Sequence, residues 1–352
     1  MTVQRIGKKI DYLRTASTLR ICNTMSNTGG IVVANMRKKF VYDGVVRWFP
    51  GHMTKGLKQM QQRLKNIDCI LEVHDARVPI SGRYADFSRT LLGLKPHILV
   101  LSKKDLIDTK YSDSIVSKLK REGLSNVIFT NLKDQKCKGM KKILPLATNL
   151  ISSSSRYNRI EQESYSIMVI GVPNVGKSSL INRLRSNYLR LGKGTPVGDT
   201  AGITRSVLTH IKISEDPLVY LIDTPGILAP SIKDIHAGMK LALVGCLQDH
   251  VIGSHALANY LLFWLNKNSR FDYVEKLGML EPNDDIMYVL TFIAAKLKKV
   301  RKVKGYDGRL DVKPDFHFAA DYFVSLFRKG EFGSYCLDLD LLETSQCNLD
   351  IA

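Results

Sequence analysis

Gly171-Val172-Pro173-Asn174-Val175-Gly176-Lys177-Ser178-Ser179 follows a strand-like run over 165–170 and opens a helix-like run over 180–184. Two glycines let backbone amides crowd around an anion, the positive end of the following helix points at the same place, and Lys177 adds a full charge. The spacing predicts a P-loop, with nucleoside triphosphate bound along Asn174, Val175, Gly176, Lys177, Ser178 and Ser179. Lys177 is expected to meet the β and γ phosphates. Ser178 offers a hydroxyl where a Mg²⁺ shared with those phosphates needs an oxygen ligand. The alternative is an ordinary glycine-bearing turn between strand and helix.

A second apolar run, 218–222, ends in Asp223-Thr224-Pro225-Gly226. A carboxylate at the end of a buried strand suits the Mg²⁺ shell. Gly226 lets its amide approach the γ phosphate, and Thr204 can close over the metal from the other side. Upstream, Ser102-Lys103-Lys104-Asp105 resembles the guanine-specificity motif Asn-Lys-x-Asp. Asp105 would accept from a donor pair that guanine has and adenine lacks. Lys103 would lay its stem on the base, and Thr130-Asn131 would supply a backbone contact to the guanine oxygen. Ser102 departs from the usual asparagine, which predicts a loss of about 1 kcal/mol in nucleotide affinity. A charged loop after a strand, or an adenine-nucleotide enzyme, is the alternative here.

Strand-like runs over 69–73, 98–101, 127–130 and 167–170 alternate with helical patterns. Such alternation predicts an α/β domain, a mostly parallel sheet with helices on both faces. The guanine motif precedes the P-loop, the reverse of ordinary GTPases. With Trp48-Phe49-Pro50-Gly51-His52-Met53, Asp75-Ala76-Arg77, the P-loop and Asp223-Thr224-Pro225-Gly226 in that order, the chain resembles the circularly permuted GTPases of the RbgA (YlqF) family, and within it the mitochondrial branch. The resemblance implies a GTP/GDP switch acting on the mitochondrial large ribosomal subunit and its rRNA, at the matrix side of the inner membrane. It implies that His52 orients the attacking water and that Asn174 ligates a potassium ion beside the phosphates. Ile227 stands where many GTPases carry a glutamine, and isoleucine has neither donor nor acceptor, so something else must orient the water or hydrolysis is slow alone. A helix-capping or RNA-touching His52 is the alternative, and Ile227 favours a rival reading: a nucleotide-gated RNA scaffold with negligible turnover.

The 352 residues carry 52 Lys and Arg against 33 Asp and Glu, a formal charge of +19, so a large surface is expected to meet a polyanion. Residues 1–42 hold eight basic residues against Asp11 alone. That composition suits a mitochondrial targeting segment; a basic RNA-binding tail is the alternative. The six cysteines are scattered without metal-ligand pairing or a disulfide framework. No apolar run is long enough to span a bilayer, which limits membrane association to peripheral contact, and a monomer is expected. The remaining chain divides into a GTPase domain over 43–230 and a helical RNA-binding domain over 231–352. Its helical patterns cover 235–247, 257–265, 286–303 and 316–327. Lys296, Lys298, Lys299, Arg301, Lys302 and Lys304 run off the end of an apolar helix, a natural phosphate contact or merely a solvated helix end. Phe316, Phe318, Tyr322, Phe323 and Phe327 fall largely on one helical face, which predicts core packing rather than a base-stacking platform.

Overall fold

The computed structural model describes residues 36–42, 60–83, 95–156, 159–189, 210–226, 234–304 and 310–343. Strands β1 (Cys69–Asp75), β2 (His97–Ser102), β3 (Val127–Phe129), β4 (Tyr165–Ile170), β5 (His210–Glu215) and β6 (Leu218–Asp223) form one sheet in the order β3-β2-β1-β4-β6-β5. All neighbours are parallel except β5, which runs antiparallel to β6 at an edge. Near-continuous apolar runs form the central strands because both faces of the sheet are covered. Helices α1 (Ser112–Arg121), α2 (Lys138–Ser152) and α3 (Lys177–Leu189) supply cover. The parallel α/β sheet expected from the alternating pattern is therefore present. The strand carrying the P-loop, fourth in the chain, lies next to the first, so the chain enters the sheet at its centre.

On and beside β1, buried charge is answered by opposite charge. Glu72 on β1 is buried between His74 at 2.8 Å and His97 at 2.9 Å. Asp68, just before β1, is held by Arg156 and Arg159 and by the Ser166 amide. Both clusters fasten neighbouring strands together.

Beyond the sheet, α4 (Ile235–Leu243), α5 (Ser254–Lys267), α6 (Ile286–Lys296) and α7 (Phe316–Lys329) pack around Tyr273, Phe323 and Phe332. One continuous apolar core joins these helices to the sheet, running from Val169, Val172 and Val175 through Met239 and Leu243 to Phe323 and Phe327. The helical part is thus seated on the GTPase-like sheet by shared burial. After α7 the chain returns to the sheet, where Cys336 packs with Leu99, Leu101 and Leu119, and ends the described residues in α8 (Leu339–Glu343).

The helix expected over 286–303 is shorter. It stops at Lys296 because Lys298 takes a left-handed φ of 53°, with Lys298 N bonded to the Ala295 carbonyl and Lys299 N to the Ala294 carbonyl. This is the Schellman arrangement, here with lysine in the position glycine usually fills. Strands β7 (Val300–Lys304) and β8 (Leu310–Pro314) follow as an antiparallel ribbon. Val300-Arg301-Lys302-Val303 has no strict apolar–polar alternation of its own, and the strand forms where Leu310-Asp311-Val312 pairs with it.

Candidate functional site

The loop after β4 turns on three left-handed residues, Gly171 (φ 143°), Asn174 (φ 57°) and Gly176 (φ 96°). At Gly171 a side chain is excluded twice over, since a Cβ there would lie 2.1 Å from the Val73 carbonyl oxygen of β1. Lys177, 7% exposed, donates to the carbonyls of Gly171 at 3.1 Å and Val172 at 2.8 Å. Its ammonium therefore lies across the loop, held by weak acceptors rather than by a carboxylate. Burial pulls its pKa down to about 8 against the opposing pull of Asp223. A buried cation so poorly compensated favours an anion beside it.

Ser178 Oγ donates to Asp223 Oδ2 at 2.8 Å, which brings together the two predicted Mg²⁺ ligands that lie in the described residues. Asp223 is 2% exposed, and its Oδ1 has no hydrogen-bond partner among the described residues. Burial pushes the Asp223 carboxyl up, opposed by Ser178 and Lys177. A hydroxyl and an orphaned buried carboxylate oxygen are hard donors of the kind Mg²⁺ takes. The segment after β6 is fixed to the loop: Thr224 Oγ1 donates to the Val169 carbonyl at 2.6 Å, and a Cβ on Gly226 would lie 2.6 Å from Pro173 Cα. Gly226 is required by the P-loop itself, a constraint that the sequence reading assigned to phosphate alone.

At the base end, Ser102 is fully buried, and its Oγ lies 2.6 Å from the Val175 carbonyl and 3.0 Å from the His74 carbonyl. The serine thus ties β2 to the P-loop and to β1 with its short side chain. Lys103 takes a left-handed φ of 55° and lays its ammonium between the Asn174 carbonyl at 3.2 Å and Asp75 Oδ2 at 3.0 Å. Buried Asp75 is shared with Arg77, whose guanidinium grips both carboxylate oxygens at 3.0 and 2.8 Å. Burial alone would raise the Asp75 carboxyl, but Arg77 and Lys103 outweigh it and hold it well below the usual carboxylate range. Lys104 N bonds to the Thr130 carbonyl, and Asn131 Oδ1 accepts from Lys133 N, so both predicted base loops stand side by side. The Asp105 side chain faces solvent, with Lys133 Nζ 3.9 Å away.

The sequence reading missed how the C-terminal segment closes this end. Ser334 Oγ donates to the Asp105 carbonyl, Tyr335 N to the Leu106 carbonyl, and Leu337 N to the Arg77 carbonyl. Buried Asp338 accepts from Ile80 N, Ser81 N and Ser81 Oγ, and pairs with Lys240 on α4. Leu337-Asp338-Leu339-Asp340 has no periodicity that announces such a clasp. Asn174 faces the same helical part: its Nδ2 donates to the Gly245 carbonyl at 3.3 Å, and Arg328 caps the neighbouring Ala242 and Leu243 carbonyls. His52, Thr204 and Ile227, with the Trp48 to Met53 motif and residues 1–35 of the targeting segment expected over 1–42, lie outside the described residues.

The six C-terminal cations separate. Lys296 Nζ is bonded to the Leu277 carbonyl, Lys298 and Lys299 lie at the root of the β7–β8 ribbon, and Arg301, Lys302 and Lys304 lie on β7. Phe323 and Phe327 are core, as their spacing predicts, but Phe318 is exposed.

The family of 50S ribosome-binding GTPases matches residues 166–291. Mitochondrial GTPase 1 of Aedes aegypti is 54% identical over 298 residues, 84% of this chain and 94% of its own length. Mitochondrial ribosome-associated GTPase 1 of Bos taurus is 50% identical over 318 residues, 89% of this chain and 95% of its own. Ribosome biogenesis GTPase A of Bacillus licheniformis is 30% identical over 264 residues, 74% of this chain and 87% of its own. The crystal structure of GNP-bound YlqF from T. maritima shares the fold, with a TM-score of 0.50 at 24% identity over 80% of this chain and 96% of that one. With its P-loop, paired Ser178 and Asp223, and base loops at one end of a permuted sheet, this chain belongs to the mitochondrial GTPase 1 family of circularly permuted GTPases.

Proposed function

We propose that this protein hydrolyses GTP as a switch in assembly of the mitochondrial large ribosomal subunit, working as a monomer on rRNA at the matrix side of the inner membrane. The observation that carries the reading is the convergence of Lys177, Ser178, Asp223 and the Ser102–Asp105 loop on the same end of the sheet. Lys177 would leave its carbonyls for the β and γ phosphates, and Asp105 would read the base edge. Ser178 and Asp223, with Thr204, would hold Mg²⁺, which neutralises charge on the phosphates. Asn174 keeps its amide oxygen available for K⁺ while its amide nitrogen holds Gly245. His52 would orient the water, the position after Gly226 being Ile227. The hairpin cations Lys298, Lys299, Arg301, Lys302 and Lys304 would meet rRNA phosphates, and Lys296 would serve them from the helix end. Among the described residues no helix is long and apolar enough to cross a membrane.

Nucleotide state would reach the helical part through contacts already made: Asn174 to Gly245, and Asp105 and Leu106 to Ser334 and Tyr335. The test is steady-state GTP hydrolysis in potassium buffer with and without mitochondrial large subunits. A large subunit-dependent rise is expected, with His52→Ala abolishing it. Bound GTP with no turnover in either condition would favour the second reading, a nucleotide-gated scaffold, for which Ile227 speaks.

A further inference from the structure

Phe318 stands on the first turn of α7 with 37% of its surface exposed, while Ala319, Ala320 and Phe323 fill the inner face. Its ring stacks on Tyr322, four residues along the same face, with centroids 6.3 Å apart and planes 12° from parallel. Lys299 Nζ sits 4.9 Å from the Phe318 centroid, and the Lys299 carbonyl accepts from Asp315 N, which fixes the root of the ribbon to the start of α7. On the ribbon, Arg301 lies directly opposite Lys313, both exposed. Like charges facing each other across an antiparallel pair destabilise it, and a bound polyanion reverses that penalty. Of the acids near α7, Asp315 accepts from Phe318 N as its cap, and Asp321 lies 3.9 Å from His317.

We propose that the Phe318–Tyr322 stack is a seat for an unpaired RNA base, with Lys299, Arg301, Lys302 and Lys313 holding the flanking phosphates. The proposal deepens the rRNA-binding reading above and rests on it. Phe318, exposed and backed by the nearly parallel, part-buried ring of Tyr322, offers a flat face to a third ring, and every base has such a face. Lys299 covers that face in the free protein and can swing onto a phosphate when a base arrives. Duplex RNA hides its base faces, so the partner is a loop, bulge or end. A lipid surface fits less well, because it calls for a broad continuous apolar face, whereas the exposed Val300 and Val312 of the ribbon are interspersed with Arg301, Lys302 and Lys313.

The test is equilibrium binding of the full chain to a uridine-rich single strand, to the same strand with abasic sites, to a duplex of equal length, and to anionic phospholipid vesicles. Phe318→Leu, which keeps apolar bulk and removes the ring, is expected to weaken single-strand binding about 5- to 100-fold and to leave abasic binding unchanged. Phe318→Trp is expected to restore it. Lys302→Glu is expected to weaken the single strand, the abasic strand and the duplex together. Unchanged single-strand binding by Phe318→Leu, with Lys302→Glu still defective, would overturn the base seat and leave the rRNA reading standing. Indifference to both substitutions would remove the hairpin from RNA binding altogether. Loss of vesicle binding alone in Phe318→Leu would overturn the proposal in favour of a membrane surface.

Discussion

Two lysine-bearing regions treat charge in opposite ways. Lys177 is buried against two carbonyls with its pKa depressed to about 8, whereas Lys298, Lys299, Arg301 and Lys302 stand in solvent on a two-stranded ribbon. Burying an ammonium is costly unless something compensates it, so the first site is built for one ligand in one pose. Exposed cations are screened and cheap to hold, and they suit a long partner of loose geometry. The difference separates a site that reads chemistry from one that reads charge density.

The sharpest way to test that contrast lies at the base. Asp105→Asn is expected to move preference from guanosine to xanthosine triphosphate by a factor on the order of 10⁴, since a site built for a donor pair rejects its absence strongly. Competitive nucleotide binding measures it, and an unchanged preference would remove Asp105 from the base site. Next in size, Lys177→Ala is expected to cost about 2–3 kcal/mol of GTP affinity, the value of hydrogen bonds to a charged group. The same lysine gives a pH signature. Its free-state pKa near 8 lies below the ordinary lysine value, so above pH 8 the empty site is increasingly neutral and nucleotide binding must take up a proton. GTP affinity is therefore expected to fall as pH rises through 8, with calorimetric enthalpies that depend on the buffer; a flat profile to pH 9 would count against the buried ammonium.

Ser102→Ala comes third, with an expected loss of about 1–2 kcal/mol in stability from the lost hydroxyl donation, directed chiefly at the nearer Val175 carbonyl. Thermal unfolding measures it. The smallest effect belongs to the ribbon: Lys302→Ala should lower the salt-dependence slope of RNA binding by about one unit, without altering nucleotide affinity. A specific loss at one RNA sequence instead would mean that the ribbon reads bases rather than charge.

The phosphate end was legible because its residue types are fixed by anion chemistry within nine consecutive positions. The sheet was legible because strands buried on both faces must be apolar. At Ser102 the motif said nothing of packing: the serine oxygen reaches the Val175 carbonyl at 2.6 Å, a tie between β2 and the P-loop across 73 positions that no local spacing shows. The ribbon was invisible as a strand because β7 shows its pattern only beside β8, and its first turn rests on a lysine doing the work of glycine. The clasp made by Ser334, Tyr335 and Asp338 left no trace at all, since single hydrogen bonds across more than 200 positions obey no local spacing.

That clasp has a bearing on how the protein is born. Synthesis runs from the N-terminus, so the Ser102–Asp105 loop leaves the ribosome before the P-loop, and the segment that closes over Asp105 and Leu106 leaves last of the three. A nascent chain therefore holds both loops well before it can build the wall that Ser334 and Tyr335 raise beside Asp105 and Leu106. Completion of that wall waits on a segment made 229 positions after the loop it covers.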